Sequence, residues 1–165
     1  MVPLCTASDL ISMALVRFIA GLFSRFGKWI SRSPDPALAS AHELGRWGEE
    51  VALRHLRRQG YRILYRNFRA PHGGEVDIVC RDKRAKSLVF VEVKTRRSVE
   101  HGDPGSAVNR EKQGLIAKGA LAWLRLLDHP DLRFRFDIVE VVLVDGAPQV
   151  NIIRDAFRLP EPYRY

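Results

Sequence analysis

The sequence predicts an α/β domain on a mixed β-sheet. One observation is the order of patterns: a capped helical segment, three strand-like runs, a second helical segment, then two more strands. Another is that Arg133–Val144 is apolar on both faces around Ile138, as a central strand must be. The third is turn chemistry, because Asp82-Lys83-Arg84-Ala85-Lys86 and Asp145-Gly146 read as turns between neighbouring strands.

Residues 1–39 read as an extension and linker, and 40–165 as the folded domain. Within Leu10–Ile30, Ile11, Leu15, Phe18, Leu22, Phe26 and Trp29 form one helical stripe, with Arg17, Arg25, Lys28 and Arg32 on a separate arc. The charges make residues 10–30 a poor membrane span, and no secretory cleavage pattern is evident. A basic amphipathic helix of this kind suits a membrane surface or a protein partner. The plainer readings are a helix packed on its own domain or a poorly ordered tail. Ser33-Pro34-Asp35-Pro36 then breaks the pattern.

Ser40-Ala41-His42-Glu43 has capping-box spacing, so a helix is expected from there to Gln59, stopped by Gly60. Leu44, Trp47, Val51 and Leu56 mark its buried side. Gly45 and Gly48 weaken it, which suggests close packing on the sheet. Strands are expected at Tyr61–Phe68, Glu75–Arg81 and Leu88–Thr95, followed by a loop over Arg96–Ser106. The second long helix is expected over Asn109–Asp128, with Leu115, Ile116, Ala120, Trp123, Leu124 and Leu127 on its apolar side. Arg133–Val144 and Gln149–Phe157 complete the sheet.

The charge balance narrows the partners. The chain has 27 Lys+Arg against 19 Asp+Glu, and residues 41–165 alone hold 23 basic and 17 acidic residues. Eighteen of those 23 are Arg, the side chain suited to bidentate phosphate contact. A polyanion is therefore the expected partner, nucleic acid ahead of anionic lipid. The bland reading is that a basic balance only keeps the protein soluble. Cys5 and Cys80 lie in unrelated contexts, so neither a disulfide framework nor a zinc site is expected, and a reducing cytoplasm suits the chain.

Two strand-like runs carry ionisable residues where a core strand should carry none. In Leu88–Thr95, alternation puts Val89, Val91 and Val93 on one face and Phe90, Glu92 and Lys94 on the other. Desolvating Glu92 and Lys94 together is costly unless they pair or hold a metal. Asp77 on the preceding strand reaches the same point. Asp77 and Glu92 are the candidate ligands for Mg²⁺ or Mn²⁺, helped by a main-chain carbonyl beside Glu92. Lys94 would orient an attacking water or neutralise charge on a phosphate, and Glu49 would touch the metal's water shell from the first helix. Arg96, Arg97 and Lys112 are placed to hold phosphates. Alone, Glu-x-Lys in a strand is more often a plain ion pair. Glu75 is as well placed to face solvent as to support Asp77, His72 reads as a loop residue, and Asp137 reads as an arginine's partner.

The joint pattern is more specific. Gly45-x-x-Gly48-Glu49-x-x-Ala52, Asn67-Phe68-Arg69, Gly74-Glu75-Val76-Asp77-Ile78-Val79 and Val89-Phe90-Val91-Glu92-Val93-Lys94-Thr95-Arg96 resemble the YraN-type family of small bacterial proteins. Lys112 and Arg135-Phe136-Asp137 match its later positions, so the resemblance spans about residues 41–145. That family is similar to PD-(D/E)xK nucleases, especially Holliday junction resolvase-like endonucleases. The resemblance implies a restriction-endonuclease-like three-layer core, active-site positions at Glu49, Asp77, Glu92 and Lys94, and a role in DNA repair or recombination. Val76 stands where the superfamily signature has Pro, a position without a chemical role.

Three functions stay open on the sequence: a Mg²⁺- or Mn²⁺-dependent endonuclease for branched or structured DNA, a non-catalytic nucleic-acid-binding module, and a membrane-surface adaptor using residues 10–30. A homodimer is compatible with each.

Overall fold

Ser40 starts the first helix as its side chain predicts. Its Oγ accepts a hydrogen bond from Glu43 N, and Glu43 Oε2 accepts one from Ser40 N at 2.8 Å, closing the capping box. Helix α1 runs over Ala41–Arg58 and buries Leu44, Val51, Ala52, Leu53 and Leu56. Strands β1 (Tyr61–Arg69), β2 (Glu75–Asp82) and β3 (Ser87–Arg96) follow, then helix α2 (Arg110–Leu126) and strands β4 (Phe134–Val144) and β5 (Ala147–Phe157). The computed structural model describes residues 35–97, 108–128 and 131–163. The expected helix within residues 10–30 and most of the loop after β3 lie outside the described residues.

The five strands stand in the order β1-β2-β3-β4-β5, antiparallel except for the parallel β3/β4 pair. The parallel pair is a consequence of chain order, since α2 carries the chain across between those two strands. Both expected turns form. Asp82 Oδ1 accepts from the N–H groups of Arg84 and Ala85 at 2.9 and 3.0 Å, tightening the β2–β3 turn. Asp145 (φ +49°) and Gly146 (φ +75°) form the two-residue β4–β5 link, the left-handed pair that such a hairpin needs.

The sheet has one helix on each side. On the α1 side, Val51, Ala52, Leu53 and Leu56 pack on Ile78, Cys80, Val89, Val91, Val139 and Val141, all buried. Each fully buried aliphatic side chain contributes about 1.5–3 kcal/mol, so this layer dominates the stability of that face. The α2 side carries Phe90 and Phe136, stacked in a ring cluster with Phe134 and Phe157, while Trp123 of α2 meets Tyr65 and Phe68. The architecture is thus a mixed sheet between two helices, matching the three layers expected.

The helix glycines divide. A Cβ on Gly48 would stand 1.8 Å from Thr95 Oγ1, so α1 approaches β3 closely there, whereas Gly45 has nothing within 4 Å. The packing expected of both holds only for Gly48. A contact with backbone rather than side chain, not anticipated from sequence, occurs in α2: a Cβ on Gly119 would lie 2.9 Å from the Glu75 backbone, and one on Gly74 2.5 Å from Gly119 N. This glycine pair sets α2 against the start of β2. Among the described residues no helix is long and apolar enough to cross a membrane.

Candidate active site

Strands β2 and β3 pair only up to Ile78↔Val91, although β2 begins at Glu75 and β3 continues to Arg96. Where the ladder stops, Asp77 takes over. Its Oδ2 accepts a hydrogen bond from Val93 N at 2.8 Å, so a side chain satisfies the β3 amide that β2 no longer reaches. This bond places Asp77 beside Glu92, the neighbour on β3.

Glu92 is 3% exposed. Its Oε1 lies 2.9 Å from Lys94 Nζ and 3.3 Å from Lys112 Nζ, while Oε2 is buried without any hydrogen-bond donor. Lys112 comes from the first turn of α2, where Asn109 caps the helix by accepting from Lys112 N at 2.9 Å. Its ammonium also donates to Glu75, which pairs in turn with Arg69 at 3.1 Å. Glu49, on α1, accepts from Asn67 Nδ2 at 3.1 Å, and Asn67 itself holds a left-handed backbone (φ +52°). Five carboxylates and ammoniums from β2, β3 and α2 thus share one end of the sheet, with Glu49 alongside.

The electrostatics follow from burial. Desolvation, then the Glu92 charge, pushes Asp77 up to about 7; the Val93 hydrogen bond and Lys112 act against this, and the Glu49 charge adds to it. Glu75 is lowered, first by its hydrogen bond from Lys112. Burial alone would lower Lys112, yet Glu75 and Glu92 together hold it above the ordinary lysine value.

The expected residues fall into two groups. Asp77, Glu92, Lys94 and Lys112 are brought together, and Glu49 is close enough for its charge to act on Asp77. Arg96, half-buried, and Arg97, exposed, lie at and just past the end of β3. The Arg97 guanidinium donates to the Ala39 carbonyl, and Lys112 is engaged by two carboxylates, so neither is idle. Glu75, read as equally fit for solvent, is an ion-pair partner. Asp137 has the arginine expected of it: Arg135 Nε donates to it at 2.9 Å. One residue was missed. Glu140 is buried, pairs in register with Lys94 across the β3/β4 ladder, and accepts from Asn151 at 3.4 Å. The signal was an acid inside the apolar run Val139-Glu140-Val141, the same anomaly that marked Glu92.

The profile of the uncharacterised protein family UPF0102 matches residues 48–141, a span that holds Glu49, Asp77, Glu92, Lys94 and Lys112.

The chain belongs to the UPF0102 family.

A UPF0102 protein of Trichlorobacter lovleyi is 49% identical over 117 residues, covering 70% of this chain and 91% of the relative. One of Syntrophotalea carbinolica is 53% identical over 116 residues, covering 69% and 90%. One of Syntrophomonas wolfei is 44% identical over 115 residues, covering 70% and 97%. The YraN-type resemblance read from the motifs is therefore correct.

Two features of this site in a UPF0102 protein would suit a hard divalent cation. Asp77 and Glu92 are adjacent carboxylates of the kind such ions take, and Glu92 Oε2 is a buried acceptor with no donor. Among the described residues, however, no set of three or more His, Cys, Asp or Glu side chains forms a chelating cluster. A cation here would be held by the two carboxylates with main-chain and water oxygens.

Proposed function

We propose that this protein is a Mg²⁺- or Mn²⁺-dependent endonuclease that hydrolyses phosphodiester bonds in branched or otherwise structured DNA. The observation that carries the reading is the pairing of half-buried Asp77 with buried Glu92, with Lys94 on Glu92 and one Glu92 oxygen lacking a donor. Burying such a group is costly, and a fold without chemistry at this point would be better served by apolar residues. The cation would supply a Lewis acid for the phosphate and a water of lowered pKa.

The chain's own residues supply the rest. Asp77 and Glu92 would hold the cation, Asp77 fixed in direction by the Val93 N–H. Lys94, one side chain along β3, would orient the attacking water or meet charge developing on the phosphate. Glu49, steadied by Asn67, would accept from water at the cation. Lys112 would neutralise the carboxylates until a phosphate approaches. Arg96 and Arg97 would hold flanking phosphates, and the strongly basic domain would draw the polyanion in.

A second reading is a nucleic-acid-binding module that keeps the fold without cleavage. What favours it is that the described residues hold no three-side-chain metal cluster. Incubating the purified protein with Mn²⁺ and a panel of junction, flap and single-stranded DNAs separates the two. Cleavage of at least one substrate, lost on chelation, is expected; binding without cleavage of any supports the module.

A further inference from the structure

The pole of the sheet opposite the carboxylates holds a cleft of about 410 Å³ lined by Arg57, Gly60, Tyr61, Arg62, Ile63 and Lys83. Three of its six lining residues are cationic and none is acidic. Among the described residues, the side chains of Arg57, Arg62 and Lys83 have no ion-pair or hydrogen-bond partner, and all three are exposed. Arg58, Arg84 and Lys86, within three residues of these along the chain, are also exposed. The nearest acid, Asp82, is turned inward: its Oδ1 accepts from the Arg84 and Ala85 amides and its Oδ2 from Arg135 at 3.1 Å. Cations in the last turn of α1 answer its dipole, but that is worth only about half a charge, and the dipole leaves Arg62 and Lys83 unexplained.

Edge strand β1 links this cleft to the carboxylates. Arg62, Arg66 and Arg69 are exposed along it, starting at the cleft and ending at Glu75. Arg66 is paired with Glu50 and Arg69 with Glu75, both at the surface, where such pairs are worth about 0–1 kcal/mol and yield readily to a phosphate. Charged residues also protect an edge strand from pairing with other chains. That need is met by the strand alone and does not call for Arg57 and Lys83, which lie off it.

We propose that the Arg57–Arg62–Lys83 cleft is a second phosphate-backbone contact, which holds a flanking arm of a nucleic-acid substrate while the carboxylates face the scissile bond. It rests on the nucleic-acid reading above. The spacing sets the length of substrate needed. Asp77 and Asp82 are five residues apart on β2, about 17 Å, and Asp82 pairs with Tyr61 in the cleft wall. At about 3.4 Å per phosphate along a strand, that is roughly five nucleotides.

The test is DNA binding by fluorescence anisotropy at several NaCl concentrations, with a duplex of about 24 base pairs and a single-stranded trinucleotide. Wild type is compared with the double variant Arg62→Glu/Lys83→Glu, whose melting temperature reports that these exposed substitutions leave the fold intact. The 24-mer should bind the variant about tenfold or more weakly, with the slope of log K against log[salt] smaller by about two. The trinucleotide, covering only about 7 Å at that rise and so too short to engage both poles, should lose far less. Equal binding of the 24-mer by both proteins overturns the cleft and leaves the nuclease reading standing. Failure of wild type to bind the duplex overturns both. If polyglutamate displaces the 24-mer from wild type as well as unlabelled DNA does, charge for charge, the cleft is an acidic-protein dock and the nucleic-acid assignment falls.

Discussion

Lys112 Nζ stands 3.3 Å from Glu92 Oε1, on the same oxygen that Lys94 Nζ approaches to 2.9 Å. Two ammoniums from different elements thus share one buried carboxylate oxygen, and either alone leaves Glu92 with a countercharge. Lys94→Met should therefore cost little stability, about 1 kcal/mol or less, while abolishing cleavage. Adding Lys112→Met leaves Glu92 unpaired, and the double variant should lose about 3–5 kcal/mol, more than the two single losses combined. Urea unfolding of the four proteins measures this coupling. Additive losses would show that the lysines do not share Glu92.

Asp77 makes the metal-free protein sensitive to pH. Its folded pKa, about 7, lies above the ordinary 3.8, so the folded state binds a proton more tightly than the unfolded chain. The ionised group therefore destabilises the fold fully above pH 7, and the penalty is relieved as pH falls toward 4. In EDTA, Asp77→Asn should raise stability at pH 8 by on the order of 2–4 kcal/mol and leave it nearly unchanged at pH 4. Thermal melts across that range check it; a destabilised Asn variant at pH 8 would contradict the assignment.

The two α1 glycines predict opposite signs. Gly45→Ala meets nothing within 4 Å and should stabilise by about 0.5–1 kcal/mol through helix propensity. Gly48→Ala drives its Cβ into Thr95 and should destabilise by about 1–3 kcal/mol. Calorimetry on the pair decides it, and a stable Gly48→Ala would mean that α1 does not sit so close to β3.

Gly119→Ala should be worse, because its Cβ would meet the Glu75 backbone, which has no rotamer to change. Displacing α2 there also pulls Lys112 from Glu75 and Glu92. The expected result is a lower melting temperature together with reduced cleavage; loss of neither would detach α2 packing from the site.

These relationships show what the sequence could and could not reveal. Capping at Ser40, the Asp145-Gly146 turn and the alternation in β3 are local, and local rules placed every described helix and strand to within a few residues. Asp77 and Glu92 were legible because acids in apolar strands are anomalous. Lys112 was legible as a residue but not as a partner, since its contacts with Glu75 and Glu92 depend on how α2 docks. That docking rests on Gly74 meeting Gly119, a contact between distant parts of the chain that no local rule reports. Gly45 was misjudged for the same reason: a helix glycine looks alike whether or not a strand lies beneath it.

The most direct test compares cleavage and binding in Asp77→Ala and Glu92→Ala against wild type, on junction and flap DNAs in Mn²⁺. On the proposed function, binding would rest on many basic side chains, whereas cleavage would rest on one pair of carboxylates. Each variant should bind within about threefold of wild type, where a few phosphate contacts at most are disturbed, and show no cleavage. Cleavage by either variant at the wild-type rate would remove Asp77 and Glu92 from the chemistry.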